Sequence, residues 1–473
     1  MKYNFAKMGI DADGRKYTSP DGSKTWEYLA ILTCSIMSGC IGFVVGWNSP
    51  SIVILMSEDS PIPVTASSIS TLVAVVAVGH MLAPPINIFI VDKFGRKNTL
   101  LFSALPLLVS WSLITIATSI WELYVARFLA GITLGLFICV APIYIGEISS
   151  PDTRGAGGSL TTIIYNIGIL VTFIVAPHLS LSAMAGAFLI INIGFVIIFW
   201  FMPESPYFFV MRNRIDEAEE VLEKLRGKSD VSEELQTIVD SLSKKDKQSS
   251  KSGNLKDIFT SKANFRAFLS IMLFAVTQHF GGFFTILTYG QLIFKSINNI
   301  MSDYVINVVI GVVQLISALI TTLLVDKFGR KPLILVSGVS AAICNFVIGS
   351  YFFSKEYMHA DVLSVSWIPF ISSLILIFTF NCGLLCLQII LMSEIFATEI
   401  KAISTCLVGI IGGLLATLGS KLYIWIAITL DYGHSLPFFV YFVIVAVCTA
   451  IILHVTPETK GKTFAEIQIE LKK

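Results

Sequence analysis

The sequence predicts an all-α membrane protein with twelve transmembrane helices in two parallel six-helix halves. Three observations lead to this fold class: the composition, the number of long apolar stretches and an internal repeat. Of the 473 residues, 55% are hydrophobic and only 14% are charged, against about 25% charged in soluble proteins. So few charges cannot cover a soluble surface, and the lipid bilayer is therefore an expected partner.

Twelve stretches are long enough to cross a membrane, because a transmembrane helix needs about 20 mostly apolar residues. The first 25 residues are polar and lack the apolar region of a cleavable signal peptide, so we expect the first stretch to act as an uncleaved targeting signal. The predicted spans are residues 28–48, 66–91, 98–119, 121–147, 159–180, 183–202, 265–295, 303–325, 332–353, 365–393, 402–430 and 434–456.

Basic residues are concentrated on one side of these spans. If both termini are cytoplasmic, 29 of the 33 Lys and Arg residues fall in cytoplasmic segments, as the positive-inside rule requires. We therefore expect a multi-pass protein of the plasma membrane with both termini in the cytoplasm. The predicted domains are a cytoplasmic N-terminus (1–27), an N-terminal six-helix bundle (28–202), a cytoplasmic loop with short amphipathic helices (203–264), a C-terminal six-helix bundle (265–456) and a cytoplasmic tail (457–473).

One seven-residue segment occurs twice without change, and this repeat divides the chain into two halves. Residues 91–97 and 325–331 both read Val-Asp-Lys-Phe-Gly-Arg-Lys. Each half also has a glutamate at the inner end of its fourth span, Glu147 and Glu394, followed seven residues later by a basic residue. Parallel repeats of six spans are typical of transporters.

The repeated charges predict a network on the cytoplasmic side. The planar guanidinium of Arg suits carboxylates, and the glutamates end neighbouring helices on the same side. We expect this network to control gating; the alternative is a plain basic loop that only orients the protein. Its predicted members are Asp92, Arg96, Lys97, Glu147, Arg154 and Glu204 in the first half, and Asp326, Arg330, Lys331, Glu394, Lys401 and Glu458 in the second.

The motifs of enzymes and of nucleic-acid-binding proteins are missing from the sequence. It has no phosphate-binding Gly-rich loop, no spacing typical of metal ligands and no Ser/His/Asp set in a common soluble domain. The net charge of +1 gives no reason to expect a nucleic-acid partner. We therefore expect a monomer that is not an enzyme and binds no metal and no cofactor.

Several motifs, in order along the chain, resemble the sugar porter family of the major facilitator superfamily. Two further motifs, residues 46–50 and 392–396, resemble the insect facilitated trehalose transporter-like group in particular. The resemblance implies the major facilitator fold and facilitative (uniport) transport of a hexose or a trehalose-like disaccharide by alternating access. The family motifs read Asp-Lys-Phe-Gly-Arg-Lys (92–97), Arg-Phe-Leu-Ala-Gly (127–131), Pro-Ile-Tyr-Ile-Gly-Glu (142–147), Arg-Gly (154–155), Pro-Glu-Ser-Pro (203–206) and Pro-Glu-Thr-Lys-Gly-Lys (457–462).

The resemblance also implies a sugar site, at which this chain departs from the family. Thr162 stands where the family usually has a Gln on span 5, and Phe284 replaces the Asn that ends the span 7 signature. Gln314 aligns with a span 8 Asn, and Asn381 aligns with an acidic residue of span 10. The predicted substrate-binding residues are Gln278, His279, Gln314, Asn381 and Thr162.

Other departures leave alternatives open. Gln278 is expected either to bind the sugar or to hydrogen-bond a neighbouring helix. The glycine pair Gly281 and Gly282 that closely follows it can break a membrane helix where the helix lines a cavity. The roles of His80 and Lys421 are open. Asn48 stands where proton-coupled relatives have an Asp opposite Arg127, which favours uniport. Because several sugar contacts of the family are missing, the alternative function is a transporter-like sugar sensor or a non-transporting homologue.

Overall fold

The computed structural model describes residues 23–58, 60, 62–249, 255–297, 303–397, 400–462 and 464–472. The side chains of residues 244–249, 303, 326, 402, 464 and 465 lie outside this description. In the described part of the chain, all regular structure is helical, and twelve spans are long and apolar enough to cross a membrane, which is the predicted number. They are Thr25–Leu55, Ala66–Phe94, Arg96–Ile116, Ile120–Ile148, Pro151–His178, Leu181–Trp200, Lys262–Lys295, Tyr304–Val325, Arg330–Glu356, Leu363–Ile395, Ile403–Thr429 and Ser435–Val455.

Span 7 is broken in its middle, at the glycine pair that the sequence marks as a helix breaker. Its two helices are Lys262–Phe280 and Phe283–Lys295. Gly282 has a φ of +84°, which favours glycine because it has no Cβ. The side-chain amide of Asn345 on span 9 donates a 2.9 Å hydrogen bond to the Gly281 carbonyl, so the broken backbone is held by a neighbouring helix.

Spans 1 and 10 are also interrupted, which the sequence did not predict. Span 1 consists of the helices Thr25–Gly46 and Asn48–Leu55, so it ends seven residues beyond the predicted position. In span 10, a π-helical turn at Asn381–Leu385 separates Trp367–Phe380 from Cys386–Ile395. Such turns widen a helix locally and are frequent at functional sites.

The spans pack within each half and along seams between the halves. In the first half, spans 2 and 4 approach closely through Gly79 and Gly131: a Cβ on either residue would lie within 2.2 Å of a backbone oxygen of the other helix. Small residues of this kind allow close helix packing in membranes. Span 2 packs against span 11, and span 5 packs against span 8, so these two pairs join the halves.

Short helices fill the segment between the two halves and follow the last span. The first of them build a small apolar core of their own around Leu222 and Leu235. Arg226 anchors this core to the first half, because its Nη1 lies 2.6 Å from Oε2 of the fully buried Glu27. These helices are Pro206–Met211, Ile215–Arg226, Ser232–Ser249 and Leu255–Thr260, with Phe464–Lys472 after span 12.

Candidate functional site

The first-half network is centred on Arg96, the first residue of span 3. Its Nε lies 2.9 Å from Oε2 of Glu147, and its Nη1 lies 3.2 Å from Oδ1 of Asp92. The hydroxyl of Ser205 donates a further hydrogen bond to Glu147. Because Arg96 is only 6% exposed, these carboxylates replace the water that would otherwise solvate its charge.

Glu204 caps the start of span 3. Its Oε1 accepts the backbone N–H groups of Arg96 and Lys97, both at 2.9 Å, where the helix dipole favours a negative charge. Burial raises the pKa of Glu204 and outweighs the opposing effect of its N–H donors. Gly95 makes room for this cap, because a Cβ there would lie 2.3 Å from Oε2 of Glu204.

The second-half network repeats this plan. Nη2 of Arg330 lies 2.8 Å from Oε1 of Glu394, and the hydroxyl of Thr459 donates a 2.6 Å hydrogen bond to the other oxygen of Glu394. Glu458 accepts the backbone N–H groups of Arg330 and Lys331, both at 3.0 Å. Partial burial opposes ionisation of Glu458, but its backbone N–H donors outweigh this and lower its pKa.

The remaining predicted members take other positions. Lys97 and Lys331 contact the capping glutamates through their backbone N–H groups. The ammonium group of Lys401 donates a 2.7 Å hydrogen bond to the carbonyl of Ser393, not to a carboxylate. Arg154 is exposed and lines a cavity of about 370 Å³ with Arg96, Glu147 and Tyr207. The side chain of Asp326 lies outside the described residues.

Three of the predicted substrate-binding residues meet around the π-helical turn of span 10. The side-chain amide of Asn381 donates hydrogen bonds to the hydroxyl of Ser317, at 2.6 Å, and to the backbone carbonyl of Gln314, at 3.3 Å. From span 7, Nε2 of Gln278 lies 3.5 Å from the carbonyl oxygen of Leu385. Amide side chains of spans 7 and 10 therefore lie in one region of the second half, and the side chain from span 10 contacts span 8 at Ser317 and at the backbone of Gln314.

The other two predicted residues stand apart from this group. The imidazole of His279 stacks on the ring of Phe284, with 5.4 Å between the ring centroids and 15° between the planes. Thr162, on span 5, is exposed, and its hydroxyl donates to the carbonyl of Gly158. Phe284 replaces the polar group of the family signature. Its ring also stacks on His279, the residue next to Gln278 in the sequence.

Asn166 is a polar residue near this region that the sequence reasoning missed. It is 3% exposed; its Nδ2 donates a 2.8 Å hydrogen bond to the carbonyl of Thr162, and its Oδ1 has no partner among the described residues. Gly311 of span 8 packs against Leu170 of span 5. Spans 5 and 8 run in opposite directions; Asn166 precedes Leu170 by about one turn, and Gln314 follows Gly311 by about one turn. Both residues therefore lie on the same side of that contact, at similar depth in the membrane.

Gln314 shares this feature with Asn166, as do four other amide side chains among the described residues. It is also 3% exposed, and its Oε1 has no hydrogen-bond partner among the described residues. Two side-chain carbonyl oxygens on helices of different halves are thus buried without a donor, which costs about 1–3 kcal/mol each. An asparagine within the apolar run 163–170 was the signal for Asn166, since polar residues inside spans are rarely without function.

The outer ends of spans 1, 7 and 8 are joined by hydrogen bonds, which the sequence did not predict. The Ser49 hydroxyl donates to Oδ1 of Asn307 at 3.3 Å, and Nδ2 of Asn307 donates to Oε1 of Gln291 at 2.9 Å. The backbone N–H of Gln291 donates back to Ser49 Oγ at 3.4 Å. These neutral contacts, here named the outer seal, connect the two halves.

Arg127 lies just below this seal and contacts only neutral groups by hydrogen bonding. It is 1% exposed; Nη2 lies 2.6 Å from Oδ1 of Asn48, and Nη1 lies 3.0 Å from the carbonyl oxygen of Val44. Its guanidinium also stands over the ring of Trp47, 4.9 Å from the centroid. Among the described residues, no carboxylate lies within ion-pair distance of Arg127.

In the described ranges, no group of three or more His, Cys, Asp or Glu side chains is placed to hold a metal ion. The described cysteines of spans 1, 4, 9, 10, 11 and 12 are free thiols.

Comparisons with known proteins agree with this architecture. The facilitated trehalose transporter Tret1 of Anopheles gambiae is 29% identical over 444 residues, which cover 93% of this chain and 55% of the relative. Tret1 of Apis mellifera ligustica is 28% identical over 446 residues, covering 94% and 88%. This chain therefore spans about half the length of some relatives and most of others.

Solved structures show the same fold. The inward-open conformation of the xylose transporter XylE from E. coli has a TM-score of 0.75 at 20% identity and covers 94% of this chain and 99% of the other. The proton:xylose symporter XylE bound to 6-bromo-6-deoxy-D-glucose gives 0.73 at 21% identity, with 95% and 99% covered. The predicted fold class is confirmed. The family model described as "Sugar (and other) transporter" matches residues 29–471, and the chain therefore belongs to that family.

Proposed function

We propose that this protein carries a sugar, a hexose or a trehalose-like disaccharide, across the plasma membrane by facilitated diffusion, as a monomer with both termini in the cytoplasm. The single observation that carries the proposal is the group of amide residues at the centre of the spans, of which Gln314 and Asn381 are buried and Gln278 is half-buried. Gln278, Gln314 and Asn381 converge there, and Asn166 approaches from the other half. Relatives named as trehalose transporters support a sugar as the substrate.

The unpartnered oxygens of Asn166 and Gln314 match the chemistry of a sugar. A sugar presents many hydroxyl donors around an otherwise compact ring, and a binding site needs a few well-placed polar groups in an apolar cleft. A hydroxyl that donates to either oxygen offsets the cost of its burial. Because the two oxygens belong to different halves, a sugar between them contacts both halves at once, as alternating access requires.

Facilitated diffusion is favoured over proton coupling by the surroundings of Arg127. A proton-driven carrier needs a titratable group that changes its exposure during the cycle. The acceptors of Arg127 are the amide of Asn48 and a backbone carbonyl, and neither group takes up a proton at physiological pH. Arg127 is therefore paired in this conformation without help from a carboxylate.

A sugar sensor is the second candidate, and the stack of His279 on Phe284 favours it. This stack places an aromatic ring where the family signature has an amide, which removes one hydrogen-bonding group from the site. A sensor binds sugar and changes conformation without completing the cycle. The two candidates therefore differ in flux and not in binding.

Uptake by liposomes that contain the purified protein tests both candidates. We expect saturable uptake of labelled glucose or trehalose, with no uptake of a charged sugar phosphate as the matched control. Saturable binding without flux for every sugar tested would favour the sensor and overturn the carrier. Absence of both binding and flux would overturn a sugar as the substrate class.

A pH gradient across the same liposomes tests the uniport assignment. We expect sugar to equilibrate and not to accumulate when protons flow inward, because the described spans offer no carboxylate partner to Arg127. Asn48→Asp is the informative variant, since it places a carboxylate beside the guanidinium. Uphill accumulation by the unmodified protein would contradict facilitated diffusion.

A further inference from the structure

A second polar cavity lies at the inner end of the second half, away from the sugar site. It has a volume of about 600 Å³ and is bordered by the ends of spans 7, 9 and 12 and by the C-terminal helix Phe464–Lys472. Its polar lining is mostly basic. The lining residues are Lys262, Arg266, Lys331, His454, Thr456, Pro457 and Glu470.

Two of these cations, Arg266 and Lys331, lie in positions that favour a bound anion. Lys262 and Arg266 are one turn apart on the first two turns of span 7, where like charges repel and the helix dipole disfavours cations. Lys331 is the second residue of span 9. Arg266 and Lys331 are half-buried, and neither has a carboxylate within ion-pair distance among the described residues.

Two acidic groups near the cavity, Glu470 and Glu458, are already engaged. Glu470, the carboxylate that lines the cavity, forms an ion pair with Lys462. Glu458 is held by the backbone N–H groups at the start of span 9. The guanidinium of Arg266 contacts the carbonyl oxygen of His454 at 3.4 Å, which leaves most of its donors for another acceptor.

Apolar side chains continue from the rim of the cavity toward the middle of the membrane. Leu335 and Val336, about one turn beyond Lys331 toward the middle of the membrane, are 49% and 61% exposed. These side chains face outward from the bundle, where lipid chains lie. A basic cavity above an apolar rim fits a molecule with a phosphate headgroup and acyl chains.

We propose that this cavity binds the phosphate of an anionic phospholipid of the inner leaflet, with Arg266 and Lys331 as its principal ligands. A soluble phosphate compound shares the headgroup chemistry, but it has no acyl chains for the apolar rim. The site joins spans 7, 9 and 12 to the C-terminal helix, so a bound lipid holds these four elements together. The inference is independent of which sugar the protein carries.

Titration of the detergent-solubilised protein with phosphatidylserine, followed by native mass spectrometry, measures this binding. A basic residue near an anionic lipid contributes about 1 kcal/mol, or about fivefold in affinity. We expect Arg266→Gln to weaken binding about fivefold and the double variant Arg266→Gln/Lys331→Gln about 25-fold. Phosphatidylcholine, which has no net charge, is expected to bind the unmodified protein no better than it binds the double variant.

Two controls keep the result specific. Lys97→Gln changes the lysine that matches Lys331 in the first repeat but does not line the cavity, and it is expected to bind phosphatidylserine normally. Arg266→Lys preserves the charge and is expected to keep most of the affinity, which separates lost charge from misfolding. Equal phosphatidylserine binding by the double variant and the unmodified protein would overturn the site. Equally tight binding of soluble glycerophosphoserine would overturn the lipid as its ligand.

Discussion

The same seven residues occur at the inner face of both halves, yet their backbones differ. In the first half, helix Ala66–Phe94 runs one residue further into the heptapeptide than helix Asp303–Lys327 does in the second. Gly95 then takes a φ of +93°, whereas Gly329 takes −66°. Identical sequence therefore produces two different links between spans, because the surrounding charges and helices differ.

The ion pairs of the two networks differ in their burial. The side chains of Arg96 and Glu147 are 7% and 15% exposed, against 12% and 27% for Arg330 and Glu394. The capping glutamates differ in the same sense: burial dominates at Glu204 and raises its pKa, whereas hydrogen bonds dominate at Glu458 and lower its pKa. The first network is thus the more desolvated of the two.

In the middle of the membrane, the second half contributes more of the candidate sugar ligands than the first half does. The second half contributes the amides of Gln278, Gln314 and Asn381. The first half contributes the buried Asn166, while Thr162 is exposed. The first half therefore has the more buried charge network, and the second half has most of the candidate sugar ligands.

The largest expected effect concerns this division of the sugar site. Gln278→Ala should reduce sugar uptake by about 5- to 150-fold, since a lost hydrogen bond in a buried site costs about 1–3 kcal/mol. Thr162→Ala is the matched first-half control and should change uptake less than Gln278→Ala, because its hydroxyl bonds its own helix. Uptake by liposomes at equal protein density measures both. Normal uptake by Gln278→Ala for every transported sugar would make Gln278 a packing residue.

The two glycines of the repeat provide a direct test of the backbone difference. Gly95→Ala should destabilise the protein by about 1–3 kcal/mol, because its φ and ψ suit glycine alone and a Cβ meets Glu204. Gly329→Ala should cost less than this, since its φ suits any residue and only a flexible carboxylate must move. Thermal unfolding in detergent measures both variants. Equal losses of thermal stability would contradict the backbone difference.

The ion pairs should respond in the order of their burial. Glu147→Gln should destabilise the contacts between helices at the inner face by about 1.5–3 kcal/mol, because it weakens a charged hydrogen bond to the buried Arg96. Glu394→Gln should cost about 1 kcal/mol or less, as for more exposed pairs. Double electron–electron resonance between labels on the inner ends of the two halves reports the resulting opening. Unchanged distances in both variants would remove the networks from gating.

The smallest expected effect is the response to acid, and its sign differs between the halves. A lowered pKa at Glu458 gives stability that is present above the ordinary glutamate pKa of about 4.3 and is lost as the pH falls. A raised pKa at Glu204 has the opposite sign: its contribution is present at low pH and is lost as the pH rises through the raised value. Comparison of Glu458→Gln and Glu204→Gln with the unmodified protein, by thermal unfolding from acidic to neutral pH, measures this. Parallel pH curves for all three proteins would contradict both directions.

The number of spans and the repeat were predictable because they depend on local properties. A bilayer demands about 20 apolar residues for each span, whatever the neighbouring helices do. The pairing of Arg96 with Glu147 and of Arg330 with Glu394 was predictable as well, since a charged side chain at a helix end needs a nearby opposite charge. The break in span 7 followed from a glycine pair.

Other contacts depend on residues that are far apart in the sequence. The buried pair of Glu27 and Arg226, the outer seal through Ser49, and the unpartnered oxygen of Asn166 all involve distant segments. No spacing along the chain indicates which polar side chains meet across a seam between helices. The interruptions of spans 1 and 10 were missed for the same reason, because neighbouring helices stabilise them.

The sequence by itself determined that this chain is a twelve-span membrane protein with two related halves, because hydrophobicity, charge bias and repetition are properties of consecutive residues. Only the tertiary structure decided that the heptapeptides adopt different backbones, since identical consecutive residues cannot specify a difference and each link is capped by a glutamate more than a hundred residues away, Glu204 or Glu458. It also decided which amides converge on span 10. Burial and hydrogen bonding are properties of a residue's neighbours in space, and the folded helices alone bring those neighbours together.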